Sequence, residues 1–432
     1  MRGGAVAPGL ALGLVVLGAM SGCDGGSGSA LQASPAAAAR ATGYETARAG
    51  LDEAIARGLA LASERPDDGL LPLEVVSLYV ERARLTGDYG DFGRAQALLD
   101  TRSVAAPTAA LCLALARLHV TLHRLRQAGD ALVACPPGTD STEIAAMRAD
   151  VAMHSGRYRE AETVYRALLN AFGTPQQFVR LALLRNRTGS PAEAAALLEA
   201  AEKRYHGGSP TMQAWLKLQR GLVALDRGRL DEALALYRLA ADALPGWWLV
   251  DEHIAEALEL QGDARAAKAL YAKVLERMRA PAILDALAQL ERREGRAEPS
   301  EALVREARAL HDKRLAQFPE AAAGHVLDHF LRDGKETPRA LALARENFAA
   351  RPGGDAAQAL AKAWLRAGKP ERAASLVEAQ LAQGWDTAES YWLLSEAYAR
   401  LGRKSLAATA RDRALGRNPL SERMYALPPP GP

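Results

Sequence analysis

Three kinds of side chain in this sequence are spaced for chemistry. Glu252, Glu256 and Glu259 recur at intervals of four and three residues, which places three carboxylates on one helix face. Carboxylates can act on glycan or peptide bonds, but only in pairs that face each other across a gap, and the sequence offers this stripe no facing partner. Arg293, Arg332, Arg366 and Arg400 each stand two residues before a glycine or its neighbour in the pattern below, with Lys362 one turn before Arg366. Such a ridge suits an acidic or carboxylate-bearing partner. The helix macrodipole also favours a cation in any last turn, so both readings stay open. His119 and His123 share a helix with Cys112, yet Cys112 and His123 would lie about 16 Å apart along its axis, too far for one ion. His325 and His329, beside Asp328, have the spacing of two ligands but no evident third, and are expected as groove or surface histidines. No metal and no cofactor are expected. The sequence contains no nucleophile elbow, phosphate-binding glycine loop or His-Glu metalloprotease pair, so no catalytic residue is assigned.

The elements that hold these groups follow from composition. The chain has 432 residues, 49% hydrophobic and 24% charged, which excludes a disordered polymer. Isoleucine occurs only at Ile55, Ile144, Ile254 and Ile283 among abundant Ala and Leu, a bias toward helix over sheet. A net charge of +3 is too balanced to draw the chain onto nucleic acid.

One signature repeats along the body: an apolar stretch, a turn glycine, an alanine five residues on, an aromatic or aliphatic residue four further, then another apolar or small residue. Gly228, Ala233, Tyr237 and Ala240 form the clearest copy, and Gly156, Gly189, Gly262, Gly368 and Gly402 begin others. Turn positions fall at Gly87, His123 in place of glycine, Gly156, Gly189, Gly228, Gly262, Gly295, Gly334, Gly368 and Gly402, at intervals of 33 to 39 residues. After Gly87, Gly295 and Gly334 the alanine comes late, at Ala95, Ala302 and Ala340. These columns resemble the tetratricopeptide repeat, a helix hairpin of about 34 residues. The resemblance implies an all-α fold, a right-handed α-solenoid of about ten hairpins behind a leading helix, with the first helix of each unit lining a concave groove that binds protein or peptide partners. Trp392 would project from a first helix into that groove as a contact hot spot. Of the adjacent Trp247 and Trp248, one is expected in the core and the other is a candidate contact.

The N-terminus reads as an address. A short basic start, the interrupted apolar stretch Ala5 to Met20 and small residues before Cys23 are the features of a secretory signal. Met20-Ser21-Gly22-Cys23 resembles the bacterial lipobox, with Met in place of the more usual Leu, which implies cleavage after residue 22 and lipid on Cys23. The expected organisation is a signal peptide at 1–22, a lipidated tether at 23–43, the solenoid at 44–420 and a Pro-rich tail at 421–432. Asp24 resembles the retention signal of enteric inner membranes and leans toward that membrane, with the outer one open. Cys112 and Cys135 lie on opposite arms of the second hairpin, 11 residues before and 12 after its turn position, so either a disulfide or two buried thiols fits. The expected function is a membrane-anchored scaffold in the cell envelope, facing the periplasm and gathering protein partners without catalysis. The alternatives are an accessory lipoprotein of outer-membrane assembly or cell-wall synthase regulation and, more distantly, a glycan- or peptide-acting enzyme.

Overall fold

The computed structural model describes residues 43–101, 108–333 and 336–427. The signal peptide, Cys23, nearly all of the tether and residues 428–432 of the tail lie outside the described residues, as does the turn at Gly334. Among the described residues every regular element is a helix, and none is long and apolar enough to cross a membrane.

Helix α1 (Gly43–Glu64) leads. Ten hairpins follow: α2 (Leu71–Thr86) with α3 (Gly90–Asp100), α4 (Ala109–Thr121) with α5 (Leu125–Val133), α6 (Ser141–His154) with α7 (Tyr158–Phe172), α8 (Pro175–Arg187) with α9 (Pro191–Arg204), and α10 (Pro210–Asp226) with α11 (Leu230–Ala243). The second five are α12 (Trp248–Gln261) with α13 (Ala264–Arg277), α14 (Pro281–Arg293) with α15 (Ala297–Gln317), α16 (Pro319–Asp333) with α17 (Thr337–Ala350), α18 (Gly354–Arg366) with α19 (Pro370–Gln383), and α20 (Ala388–Arg400) with α21 (Lys404–Arg417). A short α22 (Ser421–Tyr425) closes the chain, so the first residues assigned to the tail are helical, and Ser421, Met424 and Tyr425 are buried.

The repeat columns have direct physical causes. Gly228 sits in the left-handed region at φ 70°, where a side chain would be strained and where a Cβ would also meet Pro419 at 2.4 Å. His123 takes the same conformation at φ 60°, and Arg351, donating to His123 Nδ1, holds it there. The alanine column is fully buried at Ala161, Ala194, Ala233, Ala267, Ala340 and Ala373, with Tyr165, Tyr237 and Tyr271 buried behind it. Each tyrosine fills the wedge toward the next hairpin, at about 25 cal/mol per Å² of apolar surface removed from water. The unit after Gly295 departs from expectation: Ala302 is exposed, and Ser300 is the buried small residue, its hydroxyl donating to the Ala288 carbonyl at 2.8 Å. Serine fits because it satisfies its own polar atom against the facing helix.

The solenoid also returns onto itself. Its early turns meet the loops between later units, at sequence separations of 162 to 228 residues, or roughly six repeats. Trp247 and Trp248 both donate their indole N–H to the Leu85 carbonyl, at 3.1 and 3.0 Å. Gly354 N–H donates to the Tyr158 hydroxyl at 2.7 Å, Asp386 N–H to the Arg187 carbonyl at 2.9 Å, and Asn418 Nδ2 to the Leu225 carbonyl at 3.0 Å. Arg423 caps the Leu260 carbonyl at 2.6 Å. Apolar contact runs with these bonds, as in Phe92 edge-on to Phe318 at 6.1 Å and Tyr158 against Trp385 at 5.2 Å. The core therefore joins distant units as well as neighbours, and the nearest-neighbour picture of repeat stability does not describe it fully.

Candidate functional site

The inner face of three successive first helices, α12, α14 and α16, carries the densest polar cluster connected with the sequence-predicted residues. Glu252, Glu256 and Glu259 are on α12, Asp285 and Gln289 on α14, and His325, Asp328 and Arg332 on α16, while His311 reaches in from α15. Together they line a small cavity, about 30 Å³ of which is open to the centre of a water molecule. That is room for one or two waters, far below the several hundred Å³ of a typical ligand pocket.

Burial shapes the electrostatics of this cluster. Glu252 is 6% exposed, and burial, reinforced by the charge of Glu256, pushes its carboxyl up to about 7. Burial also raises Glu259, with Arg293, its ion-pair partner, working against the rise. His253 Nδ1 meets Glu256 Oε2 at 2.8 Å. Burial alone would lower the His253 imidazole, but the hydrogen bond and the nearby carboxylates outweigh it and raise it. Burial, aided by Arg314, His311 and Arg351, lowers His325 to about 3. Asp285 accepts from both sides: His311 Nε2 lies 3.0 Å from one carboxylate oxygen and His329 Nδ1 2.7 Å from the other. Those two bonds overcome burial and hold its carboxyl below the usual range.

Several expected site residues therefore take other roles. Glu252, Glu256 and Glu259 are buried, so they face the cavity rather than a partner, and the stripe does have facing groups, supplied by α14 to α16. Trp392 is 2% exposed beneath the guanidinium of Arg411 at 5.2 Å, because its helix packs that ring into the core instead of a groove. The basic residues do not form an unpaired ridge. Arg293 pairs with Glu259, Lys362 with Glu389, and Arg400 with Glu396 while also donating to the Leu365 carbonyl at 2.9 Å. Arg332 is half-buried at the cavity, and burial, helped by Arg400, lowers Arg366. Neither of the paired Trp247 and Trp248 is exposed, since both are held by Leu85. His329 lies in the cluster with Asp285 and His311, two residues that sequence reasoning passed over. Their only local signal is a polar side chain on an otherwise apolar helix face. Cys112 and Cys135 are joined by a disulfide, with Cα atoms 5.4 Å apart.

The family model of the tetratricopeptide repeat matches residues 146–209, 179–246 and 359–422. The hairpins from α6 to α11 and from α18 to α21 thus match the tetratricopeptide pattern, and the fold of the described residues is an all-α solenoid of helix hairpins. No curated protein matches the chain. Among solved structures, yeast Tom70 aligns with a TM-score of 0.43 at 13% identity, over 84% of this chain and 89% of that one. Cut9–Hcn1, from the APC/C hetero-tetramer, gives 0.33 at 12% identity over 87% and 92%. MamA gives 0.33 at 14% identity over 39% and 96%.

Proposed function

We propose that the protein is a lipid-anchored scaffold of the bacterial cell envelope, facing the periplasm, whose solenoid gathers protein partners and performs no chemistry of its own. In this reading residues 1–22 are removed, Cys23 carries the lipid, 23–43 form the tether and the solenoid begins at residue 44. The observation that carries the scaffold reading is the array of ten hairpins among the described residues, a fold suited to presenting an extended surface to another protein. Export is supported by the cysteines: apart from Cys23 the chain has only two, and they are bonded to each other, as suits an oxidising compartment. The positions proposed to meet a partner are Arg293 and Arg400, which are paired with Glu259 and Glu396 but exposed at the ends of their helices. A role in outer-membrane assembly or in regulating a cell-wall synthase is the sharper form of the same proposal. The enzyme alternative gains facing carboxylates in Glu252 and Asp285, but the volume between them holds no sugar ring or peptide.

The test uses the full chain in its own membranes, with a photo-crosslinking residue at position 293 or 400 and, as controls, at the exposed Leu59 and Val133. A discrete cross-linked partner at 293 or 400, absent from the controls and from Cys23→Ser, is expected. Equal labelling at all four sites would overturn the groove-end reading, and palmitate incorporation that survives Cys23→Ser would overturn the anchor.

A further inference from the structure

We propose that Asp285, His311 and His329 form a binding site for a divalent transition metal, with Zn²⁺ the best fit, that ties α14, α15 and α16 together. The argument begins with convergence. The three side chains come from three different helices, separated by 26 and 44 residues in sequence, and all are buried. His311 presents Nε2 and His329 presents Nδ1 to the two oxygens of one carboxylate, and the imidazole rings stand 4.9 Å apart. One donor atom from each residue lies within 4.8 Å of the other two. Ligands around tetrahedral Zn²⁺, with bonds of 2.0 to 2.2 Å, sit about 3.3 Å apart, so the side chains need close by only about 1.5 Å.

The donor set and its surroundings select the class of ion. Two imidazoles with one carboxylate suit Zn²⁺ and neighbouring first-row metals, whereas Ca²⁺ and Mg²⁺ require mostly oxygen. Three protein ligands leave a fourth position for water, and the adjoining cavity, lined by Asp285 and His311, has space for one. Charge points the same way. Glu252, Glu256, Glu259 and Asp328 line that cavity with Asp285 and Arg332; His253 pairs with Glu256 and Arg293 with Glu259 from just outside it, which leaves Glu252, Asp285 and Asp328 against the single Arg332. A buried excess of carboxylate is costly, and a divalent cation offsets it more compactly than a further side chain. The site would join the α14/α15 hairpin to the first helix of the next unit, where α15 is extended to 21 residues.

The experiment takes the detergent-solubilised full chain without a histidine tag, strips it with a chelator and dialyses it against Zn²⁺, then Co²⁺. One Zn²⁺ per chain is expected, with affinity falling at least tenfold in His311→Gln and in His329→Gln and unchanged in His119→Gln, a half-buried histidine of α4 that faces none of the cavity residues. X-ray absorption of the loaded wild-type chain should show two imidazole ligands, a readout that needs no variant to fold. Substoichiometric Zn²⁺ in the wild type, a spectrum without imidazole scattering, or full affinity in the His311→Gln, His329→Gln double variant would each overturn the proposal.

Discussion

Replacing Glu252 by Gln should leave stability unchanged at acid pH and raise it above neutral pH. The carboxyl sits at 6% exposure and is raised from 4.5 to about 7 by burial and by Glu256. Below pH 4.5 both folded and unfolded chains hold the proton, and the group contributes its full stability. As pH rises the unfolded chain releases the proton first, so stability falls through the folded value near 7 and is flat above it. A displacement of roughly 2.5 units corresponds to about 3 kcal/mol, at 1.36 kcal/mol per unit. Gln keeps the shape and one oxygen but cannot ionise. Glu252→Gln should therefore match the wild type near pH 4 and exceed it by about 3 kcal/mol at pH 8. Urea unfolding of both chains in chelator, from pH 4 to pH 8, measures the difference, and titrations of groups distant from Glu252 cancel between the two chains. A difference that stays constant across this range, or a variant weaker at every pH, would refute the argument that desolvation dominates at this carboxyl.

Three further outcomes are expected. Gly221→Ala should destabilise by about 1–3 kcal/mol despite alanine's better helix propensity, because a Cβ there would lie 2.3 Å from the buried ring of Tyr237; an unchanged or higher melting temperature would show that the ring can move. Asn418→Ala removes the side-chain donor to the Leu225 carbonyl, which keeps only the Gly228 N–H, and the acceptor of the Leu420 N–H; it should cost about 1 kcal/mol or more, with hydrogen exchange accelerating at residues near Leu225, 193 positions away, and not only locally. Reducing the Cys112–Cys135 bond opens a loop spanning 23 positions and should cost about 3 kcal/mol in the chain-entropy model. Two free thiols in the denatured, unreduced chain would rule that bond out.

What could be read from sequence was whatever is local to a hairpin. The turn positions Gly87, Gly156, Gly189, Gly228, Gly262, Gly295, Gly368 and Gly402 all take positive φ, as does His123, since a left-handed residue between two helices leaves a mark at a fixed offset from its neighbours. The packing columns were legible for the same reason, except where Ser300 replaced the expected alanine and provided its own hydrogen bond. The return of late loops onto early turns was not legible. It depends on curvature accumulated over about six units, which no single column encodes. Trp392 was misplaced for that reason: its position on a first helix was right, but its ring joins a core cluster with residues of α8 to α12 from far earlier in the chain, under the cover of Arg411. The Asp285, His311 and His329 cluster was missed because its members are brought together by three helix crossings, and histidine spacing drew attention to His325, whose ring lies beside the triad.

The clasp between Tyr158 and Gly354 bears on how the chain matures. Its two halves are 196 residues apart, and a chain delivered N-terminus first, from a ribosome or across a membrane, presents the first well before the second. During that interval the early hairpins can assemble locally, but the carbonyls of Arg187 and Leu225 still lack the donors that Asp386 and Asn418 will bring. The nascent protein thus passes through a half-built stage with an unsealed rim, where a holdase chaperone has its natural purchase and a premature stop codon does the greatest harm.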